Sequence, residues 1–224
     1  MGGLRIHVLG PLEVDGVDPT GLGSRRARTV LRLLALGRGH RVSVDRIAEV
    51  LWVDAPPARP GDQVAVLVSR LRRVLGSDRL PRTDAGYSLA VDWFDVDELG
   101  ARVNEAADHL AAGRLAAATT VSRAALALLR GDFLADEPDP WWAGQSGAAV
   151  ARLVARSGMV GAEVALDSGD PLGAADRAGA ALDHDPFDEA ALRLLMRAHA
   201  AAGRPASALA AYADTRLGSP TSSG

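Results

Sequence analysis

The chain contains no cysteine. Disulfides, thiolate catalysis and Cys-ligated zinc are therefore excluded, and a reducing, cytoplasmic setting is expected. It contains no lysine either, so all 25 basic residues are arginine. A Walker-type phosphate loop needs its lysine, and so do Schiff-base and lysine general-base chemistry. No stretch approaches ~20 uninterrupted apolar residues, and no apolar run follows a basic start. The sequence predicts neither a membrane span nor a signal peptide. The five histidines are scattered without H-x-x-x-H spacing, and the acidic residues form no metal-loop pattern. No catalytic residue, metal or cofactor is expected, and Asp183-His184-Asp185 reads as a polar helix end.

What is present suits two domains. The 224 residues are 48% hydrophobic, enough for real cores. The net charge of −3 hides an asymmetry. Residues 1–95 hold 14 arginines against 11 acidic residues, whereas residues 96–224 hold 11 against 17. A basic front and an acidic back point to different partners.

In the front part, Leu4, Ile6 and Val8 alternate with polar residues, as a half-buried strand does. Gly10-Pro11 interrupts it, Leu12 to Val14 resumes, and Asp15-Gly16 forms a turn. Ser24 caps a helix to about Leu36, with Ala27, Val30, Leu31, Leu34 and Ala35 inward. Arg25, Arg26, Arg28 and Arg32 lie off that stripe or at its edge. After the strand-like link Val42 to Val44, Asp45 caps a short helix, Arg46 to Trp52. A proline-rich loop follows.

The segment Pro60 to Gly76 then places Val64, Leu67, Val68, Leu71 and Leu75 on one helix face. The opposite face carries Asp62, Val66, Ser69 and Arg73, flanked by Arg70 and Arg72. Strand-like runs Leu80 to Thr83 and Tyr87 to Val91 surround Asp84-Ala85-Gly86, with Gly86 suited to the left-handed position of a three-residue loop. Arg79, Arg82 and Thr83 would decorate its tip.

Strands, three helices and a hairpin, together with the runs LRIHVLGPLEVDG, RRARTVLRLLALGRGHRVSVDRIAEVLW, VLVSRLRRVLG and GYSL, resemble the OmpR-type winged helix. More specifically, they resemble its version in SARP-type regulators of actinobacterial secondary-metabolite genes. The resemblance implies double-stranded DNA as partner. The helix at about 61–75 would enter the major groove, and the wing at 79–91 would lie on the backbone. It implies base-reading roles for Ser69, Arg70 and Arg73, and DNA contact for Gln63, Val66 and Arg72 beside them. Wing roles fall to Arg79, Arg82 and Thr83, and phosphate contacts to Arg25 and Arg28. Ala65, Val66 and Leu67 stand where the family often has polar, larger or aromatic readers; Val66 would either meet a thymine methyl or mark an impoverished direct base readout.

Beyond residue 96 alanine dominates. Helices are expected from Asp97 to about Ala112 and from Leu115 to Leu129, then from near Ser146 onward, after a loop holding Trp141-Trp142. Gly169 and Gly203, Pro171 and Pro205, Ala174 and Ala208, and Pro186 and Pro220 are each 34 residues apart. That period reads as tetratricopeptide-like repeats. Gly113, Ala118 and Ala125 form a looser earlier copy, and Tyr212 is expected to pack between helices.

ALALLRGDFLAD with the tryptophans behind it, and LRLLMRAHAAAGRPASALAAY, resemble the bacterial transcriptional activation domain of SARP-type proteins. The expected fold is mainly α, with a winged helix-turn-helix at 1–95, a TPR-like domain at 96–217 and a flexible tail at 218–224. The resemblance implies a DNA-binding transcription activator in the cytoplasm. It further implies contact with RNA polymerase or other transcription machinery, and a homodimer or tandem binding on direct repeats. The alternative is a TPR-like interaction module whose winged helix no longer reads DNA, which the Ala65-Val66-Leu67 run favours.

Overall fold

The computed structural model describes residues 3–83 and 86–217. They fall into two compact units, Met1–Glu98 with Leu129–Val150, and Leu99–Leu128 with Ala151–Gly224. A single cut after residue 95 does not describe these units, because a later segment returns to the first.

In the first unit, β1 (Arg5–His7) pairs antiparallel with β2 (Glu13–Val14) and parallel with β5 (Trp93–Phe94). Ile6 lies opposite both Val14 and Phe94, so the three side chains share one face, and all are buried. Three helices follow β2: α1 (Arg25–Leu36), α2 (Val44–Leu51) and α3 (Pro60–Leu75). Ser24 caps α1 by accepting from the Ala27 N–H at 3.4 Å. Ser43, not Asp45, caps α2, accepting from the Arg46 N–H at 3.0 Å. Asp45 sits in the first turn, where its charge favours the helix dipole. Pro60 opens α3 at a position where no amide donor is needed, and Gly76 ends it at φ +99°.

The hairpin is shorter than expected, with β3 (Arg82–Thr83) against β4 (Gly86–Tyr87). Gly86 is not a loop residue. It pairs with Thr83, and a Cβ there would come within 2.1 Å of the Val42 carbonyl oxygen. Glycine is needed for that close approach. Asp84 and Ala85 of the expected turn lie outside the described residues.

The segment from Arg130 to Ala143, within the stretch Arg130 to Gln145 expected to be a loop, straps this unit. The Arg130 N–H donates to the Leu9 carbonyl at 2.8 Å and the Leu134 N–H to the Val8 carbonyl at 2.9 Å. Arg32, expected at the edge of its stripe, is only 1% exposed. It donates to Glu137 at 3.0 Å and also pairs with Asp136, while the Thr29 hydroxyl donates to Glu137 at 2.8 Å. A guanidinium is buried there because two carboxylates from the strap neutralise it. Of the two tryptophans, Trp142 is buried and Trp141 is 45% exposed.

The helices that supply the second unit are α4 (Asp95–Ala111), α5 (Leu115–Leu126), α6 (Gly144–Asp167), α7 (Pro171–His184), α8 (Glu189–Ala201) and α9 (Pro205–Leu217). The chain passes between the units within α4, after Leu128, and again within α6. Thus α4 starts two residues before the expected Asp97, and α5 stops at Leu126 rather than Leu129.

The 34-residue period has a backbone cause. After α4, α6 and α8 comes a glycine at positive φ: Gly113, Gly169 and Gly203. Each glycine N–H bonds the carbonyl three residues back. Each following N–H bonds the carbonyl five back, Arg114 to His109, Asp170 to Ala165 and Arg204 to His199. This is the Schellman stop, made three times. Five residues after each glycine stands a buried alanine, Ala118, Ala174 or Ala208. The side chain of Tyr212, Pro220 and residues 218–224, expected to form a flexible tail, lie outside the described residues. None of the described helices is long and apolar enough to cross a membrane.

Candidate functional site

The site expected from the sequence lies on α3 and the hairpin. Val64, Leu67, Val68 and Leu71 are buried, which at 100° per residue turns the opposite face outward. Gln63, Val66, Ser69, Arg70 and Arg73 are all exposed there. Arg82 is exposed on the hairpin. Among the described residues, the side chains of Gln63, Ser69, Arg70, Arg73 and Arg82 have no hydrogen-bonding or ion-pair partner. The structure therefore gathers an amide, a hydroxyl and two guanidinium groups on one helix face. Val66, 47% exposed, lies among them.

Other expected residues are engaged within the protein. Arg25 donates to Glu137 at 3.2 Å, and Arg28 to the Gly23 carbonyl at 2.9 Å. Arg72 is half-buried and places Nε and Nη2 on the Leu80 carbonyl, at 2.9 and 2.6 Å. Arg79 pairs with Asp92 instead of reaching the hairpin tip. The Leu4 N–H, followed by Arg79, holds the Asp92 carboxyl below the usual carboxylate range. The Thr83 hydroxyl donates to the Gly86 carbonyl at 3.3 Å.

Arg41 was missed. It is exposed and has no ion-pair partner among the described residues. It precedes Val42, which exchanges backbone hydrogen bonds with Tyr87 at 2.8 and 3.0 Å. That pairing sets Arg41 beside the hairpin. The strand-like link around Ser43 was legible in the sequence, but its partner, 45 residues away along the chain, was not.

The arrangement offers donors and positive charge, with no group of three metal-ligating side chains among the described residues. It suits an anionic surface that presents hydrogen-bond acceptors.

The chain belongs to the bacterial transcriptional activator domain family, whose match spans residues 94–218. It is 31% identical over 223 residues to the regulatory protein AfsR of Streptomyces coelicolor, covering 96% of this chain and 22% of that protein. It is 29% identical over 221 residues to the transcriptional regulatory protein EmbR of Mycobacterium tuberculosis, covering 93% of this chain and 56% of EmbR. Its structure resembles that of M. tuberculosis EmbR solved with a low-affinity phosphopeptide. The TM-score is 0.83 at 26% identity, over 96% of this chain and 59% of the EmbR chain. The chain thus spans between about a fifth and three fifths of these relatives.

Proposed function

We propose that this chain is a DNA-binding transcription regulator of SARP type, an activator. In this reading the first unit is an OmpR-type winged helix, α3 is the recognition helix in the major groove, and the β3–β4 hairpin is the wing. Gln63, Val66, Ser69, Arg70 and Arg73 face base edges, and Arg82 and Arg41 meet phosphates. Arginine suits both tasks, because its fork binds guanine or phosphate through two parallel hydrogen bonds. The observation that carries the reading is the unpartnered donor set on α3, opposite the buried Val64, Leu67, Val68 and Leu71. Similarity to named transcriptional regulators along nearly the whole chain supports it.

The TPR-like helical repeats of the second unit contact transcription machinery such as RNA polymerase. The chain works in the cytoplasm at the nucleoid, needs no cofactor, has no catalytic role, and binds direct repeats as a homodimer or in tandem.

The test is a titration of the purified chain at two salt concentrations, using random duplex and upstream DNA from its own locus. Preference for the upstream DNA, with weakening by salt, is expected. Arg73→Ala should cost ~1–3 kcal/mol on the preferred site. Failure to bind either duplex at low salt overturns the reading. It would favour a protein-interaction module instead, a role to which exposed Val66 and Val74 would suit α3.

A further inference from the structure

Arg72 stands next to Arg73 in sequence but does different work. We propose that Arg72 is a positioning residue that fixes the hairpin against α3, so that Arg82 and the outer face of α3 engage one duplex together. This inference rests on the DNA-binding reading above.

Arg72 leaves the last turn of α3 on the flank nearest the hairpin. Two of its N–H groups converge on the Leu80 carbonyl, at 2.9 and 2.6 Å. Its guanidinium carbon lies 5.7 Å from the centroid of the Tyr87 ring. Leu80 and Tyr87 are both buried. Leu80 leads into β3, and Tyr87 belongs to β4. One side chain therefore grips the chain entering the hairpin by hydrogen bonds and the returning strand through a ring face.

The hairpin also has a second anchor. Tyr87 exchanges two backbone hydrogen bonds with Val42, and Gly86 approaches the Val42 backbone too closely for any side chain. Two residues per strand is too little to hold an orientation unaided. The direction in which Arg82 points is then set by these anchors, and Arg72 is the one that refers it to α3. A planar fork can place two donors on one carbonyl while lying over a ring, whereas a lysine ammonium cannot. With Nε and Nη2 engaged on Leu80, Arg72 acts on DNA through the hairpin it holds rather than as a phosphate contact of its own.

The test is a double-mutant cycle on the full chain, read as affinity for a fluorescein-labelled duplex of upstream DNA. Arg72→Ala and Arg82→Ala should each weaken binding, Arg72→Ala by roughly tenfold. The double variant should bind no more weakly than Arg72→Ala alone, because a displaced hairpin no longer delivers Arg82. Arg72→Ala and Arg70→Ala should instead multiply, since α3 still seats. Arg72→Lys keeps the charge but should behave like Arg72→Ala.

Hydrogen exchange supplies a readout free of DNA, in which the Val42 and Tyr87 amides should exchange faster in Arg72→Ala while those of α1 stay protected. Multiplicative losses for Arg72 and Arg82 would mean that Arg72 touches DNA itself and would overturn the inference. Wild-type affinity in Arg72→Lys would do the same. If Arg72→Ala does not fold, the same cycle with Arg82→Ala and the same exchange measurement are made with Arg72→Lys. If Arg70→Ala and Arg73→Ala also leave affinity unchanged, it is the DNA-binding reading that falls. If those two weaken binding while the Arg72–Arg82 cycle is multiplicative, only the inference falls.

Discussion

The two units of this chain differ in how distant residues are joined. The first adds to an apolar core of large side chains, such as Ile6, Leu31, Leu34 and Leu71, a set of directional polar contacts between residues far apart in sequence. Arg32 on α1 is buried against Asp136 and Glu137, and the Asp95 carboxylate accepts the Val8 and Leu9 N–H groups at 2.7 and 2.8 Å. The second is held by small apolar residues on neighbouring helices. Ala162, Ala178 and Leu194 form one buried cluster, and Ala174, Ala175 and Ala198 another. Where alanines face one another, helices approach closely and the packing leaves little room for a larger side chain. Where a guanidinium is buried, geometry decides everything, because an unpaired charge there is strongly destabilising. The first unit therefore depends on specific pairings between distant residues, whereas the second repeats a simple helical hairpin.

That contrast can be broken by mutation. Arg32→Ala should have the largest effect, about 3–5 kcal/mol, because it leaves the buried Glu137 with only the exposed Arg25 as a cation. Urea unfolding of the full chain measures it, and a loss below about 1 kcal/mol would show that the strap does not need the buried pair. Ala178→Leu challenges the second unit. Overpacking should cost about 1–3 kcal/mol, and a neutral result would mean that the alanine clusters are loosely packed. Ser43→Ala should cost about 1 kcal/mol through loss of the α2 cap, while Asp45→Asn should matter less.

The smallest effect is on pH dependence. Burial pushes the Asp95 carboxyl above the usual carboxylate range, against the pull of the Leu9 and Val8 amides. Its contribution to stability is then fully present at low pH and is lost as pH rises through the raised value. Relative to wild type, Asp95→Asn should gain stability across that rise, as thermal melts at several pH values would show. An unchanged difference between the two proteins would place the carboxyl in the ordinary range.

Much of this was legible in the sequence, for stated reasons. The stripe of α3 and its exposed complement follow from a local period of 3.6 residues; Val64, Leu67, Val68 and Leu71 are buried as expected, while Leu75 at the helix end is half-buried. The glycine and alanine spacing of the second half follows from a turn made three times over. The resemblance of that half to a bacterial transcriptional activation domain is matched by the family assignment over residues 94–218. Arg32 misled because charge alone gives no sign that a carboxylate pair 104 and 105 residues away will meet it. Arg72 and Arg79 misled for the same reason, since their partners Leu80 and Asp92 carry no motif.

By itself, then, the sequence determined the helices, their buried faces, the glycine stops and the family. These depend on dihedral preferences and on apolar spacing within a few turns. Tertiary structure alone decided that residues 129–150 return to the first unit, and which arginines are engaged within the protein and which are not. Those outcomes depend on pairings between distant residues, and a pairing has no local period to betray it.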